Sequence, residues 1–136
     1  MVYDLIIIGA GPAGISAGVY ASRQKLNILI LSKDIGGQVA KKAVDIENYP
    51  GFTKISGPEL VELYQEQLKE NNLEVTLEEV VGIEKPAGHF LVKTKSGKSF
   101  EAVSVIVTSG AKSKLLNIPG EKNSLVKVSV IVRFAT

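Results

Sequence analysis

The chain has 136 residues, of which 45% are hydrophobic and 22% charged, as in a globular domain. A formal net charge of +2 with scattered basic residues argues against a nucleic-acid partner. Zero cysteines exclude disulfides, thiolate metal sites and thiol redox chemistry among these residues, and the single histidine excludes a histidine metal cluster.

No apolar run approaches the ~20 residues of a membrane-spanning helix, and the N-terminus lacks the charged region of a signal peptide. We therefore expect a cytoplasmic protein without a membrane partner. The length allows either one compact domain or a large piece of a bigger protein.

The first predicted elements are a strand, a helix and a second strand. The apolar run within Tyr3–Ile8 is typical of a buried parallel strand. Pro12–Gln24 is predicted to be the crossover helix and Leu26–Leu31 the second strand, which together make a βαβ unit. Small residues spaced four apart predict a helix face that packs closely on the sheet: Ala13, Ala17 and Ala21.

A glycine-rich turn joins the first strand to the helix. Gly9 permits a tight turn, Gly11 lets the backbone approach phosphates, and Gly14 lets helix and strand pack closely. Pro12 suits the first helical turn, where a backbone N–H is not needed. Because the first N–H groups of a helix attract a pyrophosphate, this strand–turn–helix order predicts a dinucleotide site.

The next predicted elements are two further helices. A short helix is predicted at Val39–Val44, after a turn-rich segment. The pattern Ser56-Gly57-Pro58-Glu59 is typical of a capping box, and it predicts a longer helix that extends to about Asn71. The apolar stripe of that helix comprises Leu60, Val61, Tyr64 and Leu68.

Short β runs follow this helix. The predicted strands are Leu73–Leu77, Val80–Glu84, Phe90–Thr94 and Phe100–Val107, with a hairpin turn at Lys95–Lys98. Plain nicotinamide dehydrogenases continue with alternating strands and helices, whereas this chain places a β-meander before a returning strand. The predicted fold class is α/β: an incomplete Rossmann-like domain with a parallel βαβ sheet plus a β-meander. This order resembles the FAD domain of flavoproteins that have two dinucleotide-binding domains.

The end of the second strand departs from the usual dinucleotide pattern. The position where a carboxylate would bind the ribose hydroxyls carries Ser32, followed by Lys33 and Asp34. Ser32 either contacts a ribose hydroxyl or is simply a polar strand end. The missing carboxylate weakens an NAD assignment more than an FAD assignment, since nicotinamide recognition in this fold depends on it.

The Gly-Gly-Gln segment allows two interpretations, whereas the histidine and two of the tyrosines are each given one. Gly36-Gly37-Gln38 is either a flexible turn or a place where the backbone approaches an isoalloxazine ring, with the glutamine as the hydrogen-bonding group. His89 is interpreted as a solvated hairpin residue. Tyr20 and Tyr64 lie on apolar helix faces and are predicted to be core residues.

Several motifs in consistent order resemble the bacterial low-molecular-weight thioredoxin reductases, from Tyr3 to about Lys122. They are the glycine turn, the Gly-Gly-Gln at 36–38, Ile46-Glu47-Asn48-Tyr49-Pro50-Gly51-Phe52 and Ser56-Gly57-Pro58-Glu59-Leu60. Two later segments match the A-T-G-A and I-P-G-E patterns of that family: Thr108-Ser109-Gly110-Ala111, with serine for the usual threonine, and Ile118-Pro119-Gly120-Glu121.

The resemblance implies an FAD site and its residues. The FAD pyrophosphate would be held by Gly9, Gly11, Pro12, Ala13 and Gly14. The adenosine ribose would lie along Ser32, Lys33 and Asp34, and the adenine would meet the main chain of Val81. The flavin would be approached by Gly37, Gln38 and Asn48, and the cofactor again by Ser109 and Gly110. For Asn48 the alternative is a turn-forming side chain.

The resemblance also implies the reaction of the parent enzyme, which passes a hydride from NADPH to FAD and then electrons to a redox dithiol and to thioredoxin. Family members are typically homodimers. Without cysteines, this chain supplies no catalytic residue of its own, and we expect it to have no disulfide reductase turnover.

Residues 123–136 depart from the family pattern, so we divide the chain into an FAD-domain portion, residues 1–122, and an atypical tail, residues 123–136. Lys122–Thr136 can be back-translated so that reading from the third base of codon 122 encodes E-F-L-G-K-G-V-S-Y-C-A-V-C-D. This matches the family's G-V-S-Y-C run and redox C-x-x-C. The hypothesis is a one-base deletion near codon 122 that shifted the reading frame.

Three alternatives stay open. The chain is a stand-alone module that binds FAD without catalysis, or a fragment of a cysteine-free, thioredoxin-reductase-like ferredoxin–NADP reductase. The flavoprotein of alkyl hydroperoxide reductase shares the Gly-Gly-Gln motif as well, although its full-length form begins with an additional upstream domain.

Overall fold

The computed structural model describes residues 1–41 and 45–111, with only the backbone described at Ala87. Its helices are α1 (Pro12–Arg23), α2 (Gln38–Lys41) and α3 (Gly57–Glu70). Its strands are β1 (Val2–Ala10), β2 (Ile28–Ile35), β3 (Asp45–Ile46), β4 (Ile55–Ser56), β5 (Val75–Leu77), β6 (Val80–Ala87), β7 (His89–Thr94) and β8 (Ser99–Val107).

Six of these strands form one mixed sheet in the order β5-β2-β1-β8-β7-β6. The central strand β1 is parallel to both of its neighbours, with Ile6 opposite Leu29 of β2 and Val105 of β8. Strand β5 extends the parallel part beyond β2. On the other side, β7 pairs antiparallel with the first half of β8, and β6 pairs antiparallel with β7. The α/β class, the parallel βαβ unit and the β-meander are therefore confirmed.

The two faces of the parallel strands carry separate hydrophobic clusters, because side chains alternate across a strand. One cluster joins strand residues to helices α1 and α3 and includes Leu5, Ile7, Ile15, Ile30, Leu60, Tyr64 and Leu68. The other joins the opposite faces of β1 and β2 to the meander and comprises Ile6, Ile8, Leu29, Leu31, Val92 and Ala102. Strands β1 and β2 are thus covered on both faces, which explains their continuous apolar sequence.

Helix α3 begins with the predicted capping box. The Ser56 hydroxyl oxygen accepts from the Glu59 backbone N–H at 3.3 Å, and the Glu59 carboxylate accepts from the Ser56 N–H at 3.0 Å. The carboxylate also accepts the Ser56 hydroxyl proton at 2.6 Å, and these hydrogen bonds lower the pKa of Glu59. All four residues of the predicted apolar stripe of α3 are buried.

Some local predictions need correction. Tyr20 was predicted to be a core residue, but it is 72% exposed. Gly18 faces the sheet, and Tyr20, two residues later, lies about 200° further around α1 and so points to the opposite side. Of the small face predicted for α1, Ala21 is buried and Ala17 is half-buried against the core, whereas Ala13 is exposed. Gly14 and Gly18 are buried as well. The prediction of a buried Tyr64 is confirmed.

Other differences concern element bounds. Strand β2 begins later and continues further than predicted, to Ile35. Of the short helix predicted at Val39–Val44, the structure describes α2 at Gln38–Lys41, and residues 42–44 lie outside the described part. The β3–β4 pair was not predicted, since each strand has only two residues. The I-P-G-E segment, the boundary at 122 and the tail also lie outside the described residues.

Candidate functional site

A cleft of about 510 Å³ lies at the carboxyl ends of the parallel strands β1, β2 and β8. In open α/β sheets ligands bind at this edge. From β1 and the turn after it, the lining residues are Ile8, Gly9, Ala10, Gly11, Pro12 and Ala13. From β2 and α2 they are Leu31, Ser32, Lys33, Asp34, Gly37, Gln38 and Lys41. The remainder are Glu78, Glu79 and Val80 before and within β6, and Thr108, Ser109, Gly110 and Ala111 after β8.

Two glycines of the β1–α1 turn allow close packing. Gly9 has a φ of +109°, and a Cβ there would overlap the Thr108 carbonyl oxygen and lie 2.8 Å from its carbon. A Cβ at Gly14 would overlap the Gly9 carbonyl oxygen and lie 2.7 Å from the Thr108 hydroxyl. The tight turn predicted for Gly9 and the close packing predicted for Gly14 are confirmed. Gly14 lies beneath the turn and does not line the cleft.

Gly11 differs from these two glycines because its missing side chain leaves open space. No heavy atom lies within 4 Å of a Cβ built at this position, and Gly11 lines the cleft. It is the N-cap of α1, has no side-chain cap, and precedes Pro12. Because the first N–H groups of a helix have no partner within the helix, the turn offers hydrogen-bond donors to an anion.

Thr108 ties the end of β8 to the end of β1. Its backbone N–H donates to the Ile8 carbonyl at 2.8 Å, and its hydroxyl lies 2.9 Å from that carbonyl oxygen and 3.0 Å from the Gly9 carbonyl oxygen. Thr108 therefore holds the glycine turn against the end of β8. Only its neighbours Ser109 and Gly110 were predicted to contact the cofactor, although Thr108 belongs to the same sequence motif.

The end of β2 carries the three residues that replace the usual carboxylate. Ser32 is only 8% exposed, and its hydroxyl donates to the Asp34 carbonyl at 2.6 Å. The Asp34 carboxylate pairs with Lys41 of α2 at 2.9 Å, and Lys33 is exposed at the cleft. The Ser32 hydroxyl therefore already donates its hydrogen bond within the chain, but its oxygen can still accept a hydrogen bond.

The opposite wall of the cleft is formed before β6 and was not foreseen. The Glu78 carboxylate pairs with Lys98 at 2.8 Å and accepts from the Ser96 hydroxyl at 2.7 Å; these bonds lower the pKa of Glu78. Its neighbour Glu79 pairs with Lys95 at 3.2 Å, and the Glu79 carbonyl accepts from the Lys95 N–H at 2.8 Å. The β7–β8 turn thus holds this wall in position.

The Gly-Gly-Gln motif meets the segment after β8. The Gln38 side-chain amide donates to the Ala111 carbonyl at 2.9 Å. Gly37 has a φ of +57° and its Cβ position would lie 3.8 Å from the Gly11 Cα, so the motif stands beside the glycine turn. Gly110 also has a positive φ, of +69°, and lines the cleft with Ser109.

Most of the predicted site residues are therefore brought together around one cleft. Besides Gly14, two of them do not line it: Asn48 and Val81. Asn48 is exposed in the bend after β3. The Val81 side chain is 63% exposed, whereas its neighbours Glu79 and Val80 line the cleft. A main-chain contact of Val81 with adenine stays a prediction, as does the role of Asn48.

Two further observations concern the described part of the chain alone. None of the helices in residues 1–41 and 45–111 combines the length and the apolar character that a membrane span requires. Among residues 1–41 and 45–111, no group of three or more histidine, aspartate or glutamate side chains is arranged to hold a metal ion.

The chain is similar to thioredoxin reductases in both sequence and structure. It is 43% identical over 122 residues to the thioredoxin reductase of Bacillus subtilis. The aligned region covers 89% of this chain and 38% of the relative. It is 39% identical to the Helicobacter pylori thioredoxin reductase, over 87% of this chain and 39% of the relative. The chain thus spans about two fifths of the length of these relatives.

Solved structures give the same result. The Lactococcus lactis thioredoxin reductase superposes with a TM-score of 0.82 at 38% identity, over 91% of this chain and 41% of that one. The Streptococcus pyogenes thioredoxin reductase superposes with a TM-score of 0.79 at 42% identity, over 90% of this chain and 40% of that one. The family model for pyridine nucleotide-disulphide oxidoreductases matches residues 3–133. The chain therefore belongs to the pyridine nucleotide-disulphide oxidoreductase family.

Proposed function

We propose that the chain binds FAD in this cleft and is the N-terminal FAD-binding portion of a thioredoxin reductase. The observation that carries the proposal is the open Cβ position of Gly11, at the start of α1 and at the carboxyl edge of the parallel strands. A Cβ-free backbone at this point lets phosphate groups reach the helix N-terminus.

The residues of the cleft fit a dinucleotide. Its length runs from the Gly-Gly-Gln motif and Ala111, past the glycine turn, to the wall formed by Glu78 and Val80. Lys33 adds positive charge along this path, whereas the charge of Lys41 is paired with the Asp34 carboxylate. The backbone N–H donors at the start of α1 lie at the middle of the cleft, and its apolar lining includes Ile8 and Leu31. This arrangement matches a ligand with a charged centre and two aromatic ends.

In this proposal each group of residues has a defined role. The N–H groups after Gly11 hold the pyrophosphate, while Gly9 and Gly14 keep the turn close to β8. Ser32, Lys33 and Asp34 lie along the adenosine ribose. Contacts with the ring systems come from Gly37, Gln38, Asn48, Val81, Ser109 and Gly110.

The reaction of the whole protein is part of the proposal. When bound, FAD would supply the two-electron chemistry that links NADPH to a dithiol and then to thioredoxin, in a homodimeric enzyme. The similarity of the chain to thioredoxin reductases supports this reaction. The 136 residues contain no cysteine, so the dithiol is not among them. Their contribution is to bind and orient the flavin nucleotide.

The first experiment is a titration of the purified chain with FAD, followed by isothermal calorimetry and flavin absorbance. We expect micromolar binding. Gly11→Ala places a methyl group in the cleft and should weaken binding at least ~10-fold, about 1.4 kcal/mol. Gly82→Ala is the matched control, because a Cβ at Gly82 also has no neighbour within 4 Å but Gly82 does not line the cleft.

Each outcome decides the proposal. A folded chain that binds no FAD would contradict it, and so would equal affinities of the Gly11→Ala and Gly82→Ala variants. Circular dichroism of both variants verifies that they remain folded.

A further inference from the structure

We infer that Thr108 is a positioning residue for phosphate binding. Its hydroxyl holds the Gly9 carbonyl oxygen beneath the glycine turn, so that the turn does not present this oxygen to the pyrophosphate of a dinucleotide. This role rests on the proposed function, because it concerns the same cleft. Thr108 thereby contributes to the affinity for the ligand in addition to the stability of the fold.

The Thr108 hydroxyl occupies the space that two glycines leave open. It lies 3.0 Å from the Gly9 carbonyl oxygen. A Cβ at Gly14 would be 2.7 Å from this hydroxyl, and a Cβ at Gly9 would be 3.2 Å from it. Because the Thr108 backbone N–H already donates to the Ile8 carbonyl at 2.8 Å, the hydroxyl proton is available to the Gly9 carbonyl.

Gly9 itself does little to fix the peptide that joins it to Ala10. It has no side chain and a φ of +109°, so steric hindrance to rotation of this peptide is small. Half a rotation would swing the Gly9 carbonyl oxygen from the underside of the turn toward the cleft, which both residues line. The hydrogen bond from Thr108 opposes this rotation.

The direction of this carbonyl matters because the proposed ligand is an anion at this point. A carbonyl oxygen turned into the cleft would bring its partial negative charge close to the phosphates, where the turn otherwise offers N–H donors. A turn that is already fixed before the ligand arrives also loses less conformational freedom on binding, which increases affinity. Thr108 therefore acts on the ligand through Gly9.

The test measures the affinity of the full chain for FAD by calorimetry, at a temperature where circular dichroism shows every variant to be folded. Thr108→Val keeps the shape of the side chain without the hydroxyl and should weaken binding about 3- to 10-fold, the range of one hydrogen bond. Thr108→Ala is a second hydroxyl-free variant with the same expectation, and the A-T-G-A pattern carries alanine at this position. Thr108→Ser keeps the hydroxyl and should bind within about twofold of the parent chain.

Ser104→Ala is the matched control. Ser104 also lies on β8, and its hydroxyl donates to the carbonyl of Asp4 in β1 at 2.7 Å, but it does not line the cleft. The substitution removes the same kind of hydrogen bond between the same two strands. It should leave the affinity for FAD unchanged.

The outcomes separate this role from the function on which it rests. If the parent chain binds FAD and the hydroxyl-free variants bind it equally tightly, Thr108 is not a positioning residue, and the dinucleotide function stands. The role is also overturned if Thr108→Ser binds as weakly as Thr108→Val, or if Ser104→Ala weakens binding to the same extent. If the folded parent chain binds no FAD, the proposed function fails, and the role of Thr108 fails with it.

Discussion

Replacing Gly14 by alanine should destabilise the fold, because its neighbours are backbone atoms. The added Cβ would overlap the Gly9 carbonyl oxygen and lie 2.7 Å from the Thr108 hydroxyl and 3.0 Å from the Gly9 carbonyl carbon. None of these atoms can rotate away without moving α1 off β1 or breaking the Thr108 contacts. Alanine would stabilise the helix by up to ~1 kcal/mol, but overpacking of this kind costs about 1–3 kcal/mol and occasionally more.

We place the overpacking cost at its upper end, about 3 kcal/mol, since the clash is with the main chain, which leaves a net loss of about 2 kcal/mol after the gain in helix propensity. For a domain of this size, that corresponds to a fall in Tm of roughly 8 °C. Thermal and urea unfolding followed by far-ultraviolet circular dichroism measures it.

Gly18→Ala is the matched control on the same helix. A Cβ at Gly18 would lie 3.1 Å from the Ile30 Cδ1 and 3.3 Å from the Leu73 Cδ1, which are ends of flexible side chains. The same gain in helix propensity applies, so its stability should stay within about 1 kcal/mol of the parent chain. A Gly14→Ala chain as stable as Gly18→Ala would refute the reasoning.

Two further predictions concern the braces around the cleft. Thr108→Val removes the hydroxyl that contacts the Ile8 and Gly9 carbonyls and should cost about 1 kcal/mol in urea unfolding, whereas Thr108→Ser should lose less. Hydrogen bonds from Lys98 and Ser96 lower the pKa of Glu78 in the folded chain. The ionised carboxylate therefore stabilises the fold above its unfolded pKa near 4.5, and this stabilisation is lost as the pH falls through the lower folded pKa. The urea midpoint should therefore fall on acidification below about pH 4.5, and less steeply in Lys98→Met; equal slopes would contradict the assignment.

Elements with local signals could be predicted from the residue pattern. The capping box joins Ser56 to Glu59, three residues apart, and the turn from Gly9 to Gly14 connects consecutive elements. Interactions over such short distances depend little on the remainder of the chain, so residue types at fixed spacing predict them. The continuous apolar runs of β1 and β2 likewise predicted strands covered on both faces.

The contacts between side chains across the cleft could not be predicted from the residue pattern, because they depend on how distant segments pack. Glu78 pairs with Lys98, 20 positions later, and the Gln38 amide donates to the carbonyl of Ala111, 73 positions away. Nothing in the spacing of these residues marks them as partners, because their proximity follows from how the β7–β8 turn and the end of β8 pack. The exposure of Tyr20 has the same origin: a helix shows which residues share a face, but only packing against the sheet selects the face that is buried.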